Sequence, residues 1–268
     1  MTQSGAASAS TGLANPIFCV QGAGKPRRWT SYLYTHNGQA AVLGNGIATG
    51  ANSSGSSANV NDDTAIGGAI GNWVKYLPVN NNANLCGISS TPNSGSMRSF
   101  WNFRPKAIMR FRTGSRLFNV SAGSHRTYWF GLFTTAPANG GVAVVTDPHV
   151  SLLCHDPSDS SGSFEISSTV SGTGTTQTRT NSGFAPMLPL THYRVTITTA
   201  LVTANVTVED LTRGLTYSAG VNISAYDRAT IPTKDWMIVM YGSATIMAPE
   251  LVVGEGGLEI GGFYMEAD

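Results

Sequence analysis

The chain is predicted to fold as an all-β, antiparallel β-sandwich with an irregular N-terminal extension. Three observations carry that prediction. From about residue 99 onward, short runs rich in Val, Ile, Thr, Tyr, Phe and Trp recur at fairly regular spacing, most of them separated by Gly, Pro, Asn or Asp turns. Some of these runs alternate apolar and polar residues with period two, the pattern of a strand with one buried face. No segment has the apolar spacing of a convincing amphipathic helix.

The strand over 106–112 is the clearest case: Met109 and Phe111 are predicted to face inward and Arg110 and Arg112 outward. Runs at 127–134, 149–154, 164–170, 192–198, 205–211, 236–241 and 258–266 complete a set of eight. The same alternation assigns Val195, Ile197, Val206 and Val208 to the interior. These runs define a sandwich over 99–268. Residues 1–16 are mostly Ala, Ser, Thr and Gly, with little to bury, and read as a flexible arm. Residues 17–98 read as a loop-rich β extension, open to being part of the same domain. Within it 31–34 is a short strand, 44–61 a Gly/Ser/Asn surface loop, and 80–82 and 91–96 are turns. Residues 65–76 have apolar residues at helical spacing, but Gly67, Gly68 and Gly71 each disfavour a helix by about 1 kcal/mol against Ala.

Charged residues make up 12% of the chain, and Ser, Thr, Asn and Gly take their place. Sixteen Lys and Arg against fifteen acids give a net charge of +1, but the distribution is bipolar. Before Asp147 there are eleven basic residues and two acids; from Asp147 on there are five and thirteen. Such a chain either pairs its halves within one sandwich or pairs neighbouring copies head to tail. Arg outnumbers Lys by twelve to four, which suits forked contacts to carboxylates. The cluster Arg104, Lys106, Arg110, Arg112 and Arg116 is therefore a candidate protein-docking surface. Its alternative is an Arg-decorated solvent face. The near-zero net charge and acidic second half argue against nucleic acid as the partner.

Most familiar chemistries find no anchor. Gly22-Ala23-Gly24-Lys25 lacks the upstream glycine of a phosphate loop, and Pro26 stands where a magnesium-binding hydroxyl belongs. The five His are scattered singly, and no Gly-x-Ser-x-Gly elbow occurs. Cys19, Cys86 and Cys154 are odd in number and widely spaced, so neither zinc nor a disulfide framework is expected. Glu209 and Asp210 are adjacent on a strand and so point to opposite faces, unlike a hydrolase carboxylate pair. Asp156 and Asp159 lie in an oxygen-rich loop of the kind that binds calcium, although an Asp-Pro turn accounts for it as well. Trp101, Tyr128 and Trp129 belong to an aromatic zone that offers stacking faces for sugar rings, with core packing as the alternative. No cofactor is expected. No apolar run reaches transmembrane length, so membrane insertion is not expected either. The first residues lack the basic and apolar regions of a secretory signal, which predicts synthesis in a cytoplasm without a signal peptide.

The order of segments resembles the concanavalin A-like, or laminin G-like, jelly roll over about 100–268. The resemblance is carried by the outward-basic strand 106–112 and by Tyr128-Trp129-Phe130-Gly131-Leu132-Phe133. It continues through the hairpin from His192-Tyr193-Arg194-Val195-Thr196-Ile197 into Asn205-Val206-Thr207-Val208-Glu209-Asp210, and ends with the closing Gly261-Gly262-Phe263-Tyr264-Met265-Glu266. The first hundred residues lie outside it. The Ala/Ser/Gly arm on a signal-less β-rich chain is also similar to phage capsid-decoration and tail proteins. The resemblance implies a non-enzymatic virion structural protein, made for capsid decoration, fibre or tail attachment. Its partners would be copies of itself, other virion proteins and a host-surface glycan. A lectin-like glycan-binding module is the alternative, and a polysaccharide-cleaving enzyme the third reading.

Overall fold

The computed structural model describes fifteen strands and, between them, residues 183–191, 200, 211–214 and 223. The first five strands are β1 (Trp29–His36), β2 (Gln39–Leu43), β3 (Gly55–Asn61), β4 (Asn72–Pro78) and β5 (Asn84–Ser89). Next come β6 (Lys106–Thr113), β7 (His125–Phe133), β8 (His149–Asp156), β9 (Ser163–Thr169) and β10 (Gln177–Asn181). The last five are β11 (His192–Thr199), β12 (Thr203–Asp210), β13 (Leu215–Asn222), β14 (Met237–Thr245) and β15 (Leu258–Ala267). All eight runs predicted from 99 onward are strands. The described residues contain no helix, and so none long and apolar enough to cross a membrane.

The strands form two antiparallel sheets packed as a jelly-roll sandwich. Sheet A runs β13-β12-β11-β6-β15-β1-β2, with β4 also on β15 and β3 on β4; sheet B runs β10-β9-β8-β7-β14-β5. The chain changes sheets on either side of β5, between β6 and β7, between β10 and β11, and on either side of β14. Strands β1 to β5, from the loop-rich N-terminal stretch, therefore belong to the same two sheets as the rest. Two local expectations there are corrected. Residues 55–61 are a strand, not loop, and 72–76 belong to β4, not to a helical turn. Pairing explains both: β3 has little apolar pattern of its own and is held in register along all of β4. Residues 1–28, the predicted turns at 80–82 and 91–96, and residues 65–71 lie outside the described residues.

The core lies between the sheets. Met109, Phe111, Val195, Ile197, Val206 and Val208 are all buried there, as the alternation predicts. Phe111 of sheet A stacks on Phe130 of sheet B with ring centroids 3.8 Å apart, and Phe164 meets Tyr193 edge-on at 5.6 Å. A bulge in β15 between Ile260 and Gly262 lets Ile260 and Phe263 both face the core although they are three positions apart, an odd spacing. Gly262 makes this possible by taking φ 138°. The far face of sheet B is buried as well: Trp129, Phe133, His149 and Leu153 are all enclosed. Burial on both faces explains why 128–133 reads as an unbroken apolar run rather than an alternation.

One end of sheet A is stitched together by side chains. Thr113 Oγ1 donates to Leu188 O at 2.6 Å and accepts from Thr191 N at 3.0 Å, while Leu188 N donates to the Tyr193 hydroxyl at 2.9 Å. His192 N donates to Thr212 Oγ1 at 2.9 Å, which ties this turn to the β12–β13 hairpin. The hairpin itself is shaped by Asp210, which accepts Arg213 N at 2.9 Å, and by Gly214 at φ 70°. These contacts tie the outer face of sheet A to the β12–β13 hairpin.

Candidate binding face

The outer face of sheet A brings the predicted basic residues together. On β6, Lys106, Arg110 and Arg112 alternate outward. Ladder register sets Arg112 between Glu259 of β15 and His192 of β11, and Arg110 beside Arg194. Arg194 in turn stands opposite Glu209 of β12. Arg104, Arg116, Trp101 and Asp159 lie outside the described residues, as does the side chain of Asp156 at the end of β8.

Three ion pairs organise this face and its margin. Arg112 Nε pairs with Glu259 in a fully buried setting. Arg194 forms a two-pronged pair with Glu209, Nε and one terminal nitrogen each donating to a different carboxylate oxygen. That pairing raises the Arg194 pKa above its ordinary value, chiefly through the hydrogen bond to Glu209. Arg213 donates to the buried Asp210 at 2.6 Å within the hairpin.

His192 is the least obvious member. Its side chain is buried, and Arg110 approaches its Nε2 through Nε at 3.4 Å and a terminal nitrogen at 3.2 Å. Guanidinium nitrogens only donate, so Nε2 must accept and the ring proton sits on Nδ1. Burial, followed by the charges of Arg110, Arg112 and Arg194, lowers the His192 pKa to about 3, against a smaller opposing effect of Asp210. Burial and the neighbouring Arg194 also lower the pKa of Arg110. A neutral imidazole thus accepts from Arg110 beside two further guanidinium groups, each held by its own glutamate.

Beyond the charged group, toward β13, the face becomes uncharged. Thr198, Thr203, Asn205, Thr216, Ser218 and Asn222 are exposed in alternating positions. Asn205 Nδ2 donates to Ser218 Oγ at 2.9 Å and to Thr207 Oγ1 at 3.2 Å, and the two hydroxyls are 3.0 Å apart. The described exposed large apolar residues are Leu190 and Leu215, 48% and 40% accessible. Both lie at the stitched end of sheet A. Leu190 is held at φ 50°, a conformation rarely adopted by a branched side chain.

Three sequence-based placements need correction or limits. Arg112 does point outward, but it is wholly enclosed, because β15 and β11 flank it and Glu259 closes over it. Tyr128 lies in the core between the sheets, and Trp129 on the opposite face of β7 is packed edge-on against Phe133 and His149. Neither ring is presented to a sugar in this structure. Glu209 and Asp210 do face opposite ways, each toward its own arginine. Among the described residues no group of three His, Cys, Asp or Glu converges to hold a metal ion. The sequence reading missed the roles of His192, Arg194 and Glu259. The pairing of Arg194 with Glu209 was accessible from the short β11–β12 connection, which sets the register once the hairpin is assumed.

No protein-family model matches the chain, and no curated protein matches it. Solved structures do. The CBM2 module of the evolved Dit of Lactobacillus casei BL23 phage J-1 is 14% identical with a TM-score of 0.43, over 72% of this chain and 76% of that one. Lectin UEA-II, solved in complex with galactose, is 10% identical with a TM-score of 0.47, over 90% and 99%. The enzymatically active domain of bacteriophage CBA120 tailspike protein 2 is 10% identical with a TM-score of 0.45; the match covers 80% of this chain and 28% of that one. At such identities and scores these likenesses assign neither a family nor an activity.

Proposed function

We propose that this chain is a non-enzymatic structural protein of a virus particle, a capsid-decoration, fibre or tail-attachment component that assembles with copies of itself and with other particle proteins. The observation that carries the reading is the outer face of sheet A. Its described carboxylates are engaged by arginines, Glu259 by Arg112 and Glu209 by Arg194, and its exposed part is a field of short hydroxyl and amide groups. Such a surface suits binding. Bond cleavage by acid–base chemistry needs carboxylates poised toward a substrate, not locked to guanidinium groups. The particle setting is supported by the similarity of the Ala/Ser/Gly arm and β-rich chain to phage decoration and tail proteins. Mass spectrometry of gradient-purified particles tests it: the chain is expected as a stoichiometric component, and absence from the particles overturns the reading.

A second reading, a glycan-binding module, draws on the Asn205, Thr207 and Ser218 network, whose donors and acceptors suit sugar hydroxyls. A glycan array separates the two. Binding lost on Asn205→Ala without loss of fold favours the module; no binding on the array favours the purely structural role.

A further inference from the structure

We infer that β13 is a docking edge at which a second copy of this chain adds its own β13, antiparallel, to continue sheet A across two molecules. The inference rests on the self-assembly in the reading above and names the surface that performs it.

Strand β13 ends sheet A, and β12 is its strand partner along all of Leu215–Asn222. In an antiparallel ladder alternate residues turn their N–H and C=O groups away from the partner, and among the described residues no strand pairs with β13 on that other side. Edge strands usually blunt that row with charge, proline, a bulge or short length. Strand β13 has none of these: it has eight residues, no charged side chain, no proline and an unbroken register with β12. The sandwich's other edge on this side contrasts with it. Strand β13 lies over β9, beside which β10 forms the edge of sheet B with five residues and an exposed Arg179.

The sequence of β13 is complementary to itself. Leu215, Tyr217, Ala219 and Val221 lie on the core side, while Thr216, Ser218, Gly220 and Asn222 lie on the outer side. An antiparallel pair about a two-fold axis at Ser218 or Ala219 keeps like faces together. It sets Leu215, otherwise 40% exposed, opposite Val221 or Ile223 of the second copy. No like charges meet across that axis. The wall offered is about 27 Å long and about 20 Å deep, from the strand rise and the roughly 10 Å spacing of stacked sheets. Two such walls remove about 1,000 Å² from water, at the lower bound for a specific interface. The geometry thus calls for a reversible, concentration-dependent dimer.

Sedimentation velocity of the full chain over a range of concentrations tests this, with Ser218→Lys and Leu215→Glu as edge variants and Thr198→Lys, on the same face but away from the edge, as control. The expected result is a dimer whose dissociation constant rises about tenfold or more in both edge variants, by like-charge repulsion at the axis or by loss of apolar contact, and not in the control. Circular dichroism confirms that each variant folds. Hydrogen exchange gives a second readout: amides of 215–222 gain protection as concentration rises. A chain that stays monomeric up to about 1 mM overturns the inference, the weakest affinity such an edge would give. So does a dimer indifferent to both edge substitutions. A monomer that still co-purifies with particles overturns the edge pairing and spares the virion reading; an edge-dependent dimer absent from particles does the reverse.

Discussion

Arg112 is enclosed with Glu259, and breaking such a pair costs far more than the pair contributes. Arg112→Ala leaves a buried carboxylate and is expected to destabilise the fold by about 3–5 kcal/mol, read from a chemical denaturation midpoint. The double variant Arg112→Met with Glu259→Leu removes both charges and is expected to recover most of that loss. A double variant as unstable as the single one contradicts the assignment. His192 makes the opposite kind of statement. Its folded pKa, lowered to about 3, lies below the ordinary 6.5, so the unfolded chain takes up a proton that the folded chain refuses. The stability it supports is whole above pH 6.5 and falls as pH drops toward 3, by up to about 1.4 kcal/mol per pH unit. His192→Gln keeps an acceptor for Arg110 and is expected to flatten this slope in thermal melts between pH 6.5 and 4. An unchanged slope relative to wild type places the titrating group elsewhere.

At the scale of elements, close strand approach sets the tightest constraint. Gly131 of β7 stands opposite Ser151 of β8, and a Cβ added there would lie 2.5 Å from the Val150 carbonyl oxygen. Backbone cannot yield as a flexible side chain does, so Gly131→Ala is expected to destabilise by about 1–3 kcal/mol, measured as a shifted urea midpoint. Period-two alternation identified β6, β11 and β12 with their inward residues, because each has one face on the core and one outside. It failed at β3, which is Gly-, Ser- and Asn-rich and takes its structure from β4. It also passed over β13, where Leu215, Tyr217, Ala219 and Val221 do alternate but with small and polar residues between them. Alternation assigns direction, not depth. For that reason Arg112 was legible as outward-facing but not as buried, and Tyr128 and Trp129 were legible as aromatic but not as enclosed. The site's central group was hidden because His192 and Glu259 come from strands distant in sequence, joined by a register that no local pattern encodes.

Over the whole molecule, the bipolar charge of the sequence is partly resolved within one chain. Arg112, from the basic first part, is neutralised by Glu259, from the acidic second part. Replacing both Arg110 and Arg112 by Glu is therefore no clean probe of docking, because it also removes the partner of Glu259. A carboxylate at 112 would face Glu259 in a dry setting and is expected to unfold the chain. Arg110, only part-buried, remains a position where charge reversal reports on docking. The face around it has its described carboxylates engaged, and it borders β13, which pairs with no second strand among the described residues. These are the features that the proposed assembly role would use. The most direct measurement is quantitative mass spectrometry of density-purified particles, set against the soluble fraction of the same lysate. The account predicts the chain in the particles at a fixed copy number relative to the major capsid protein, retained through high-salt washing. Recovery in the soluble fraction alone would contradict it.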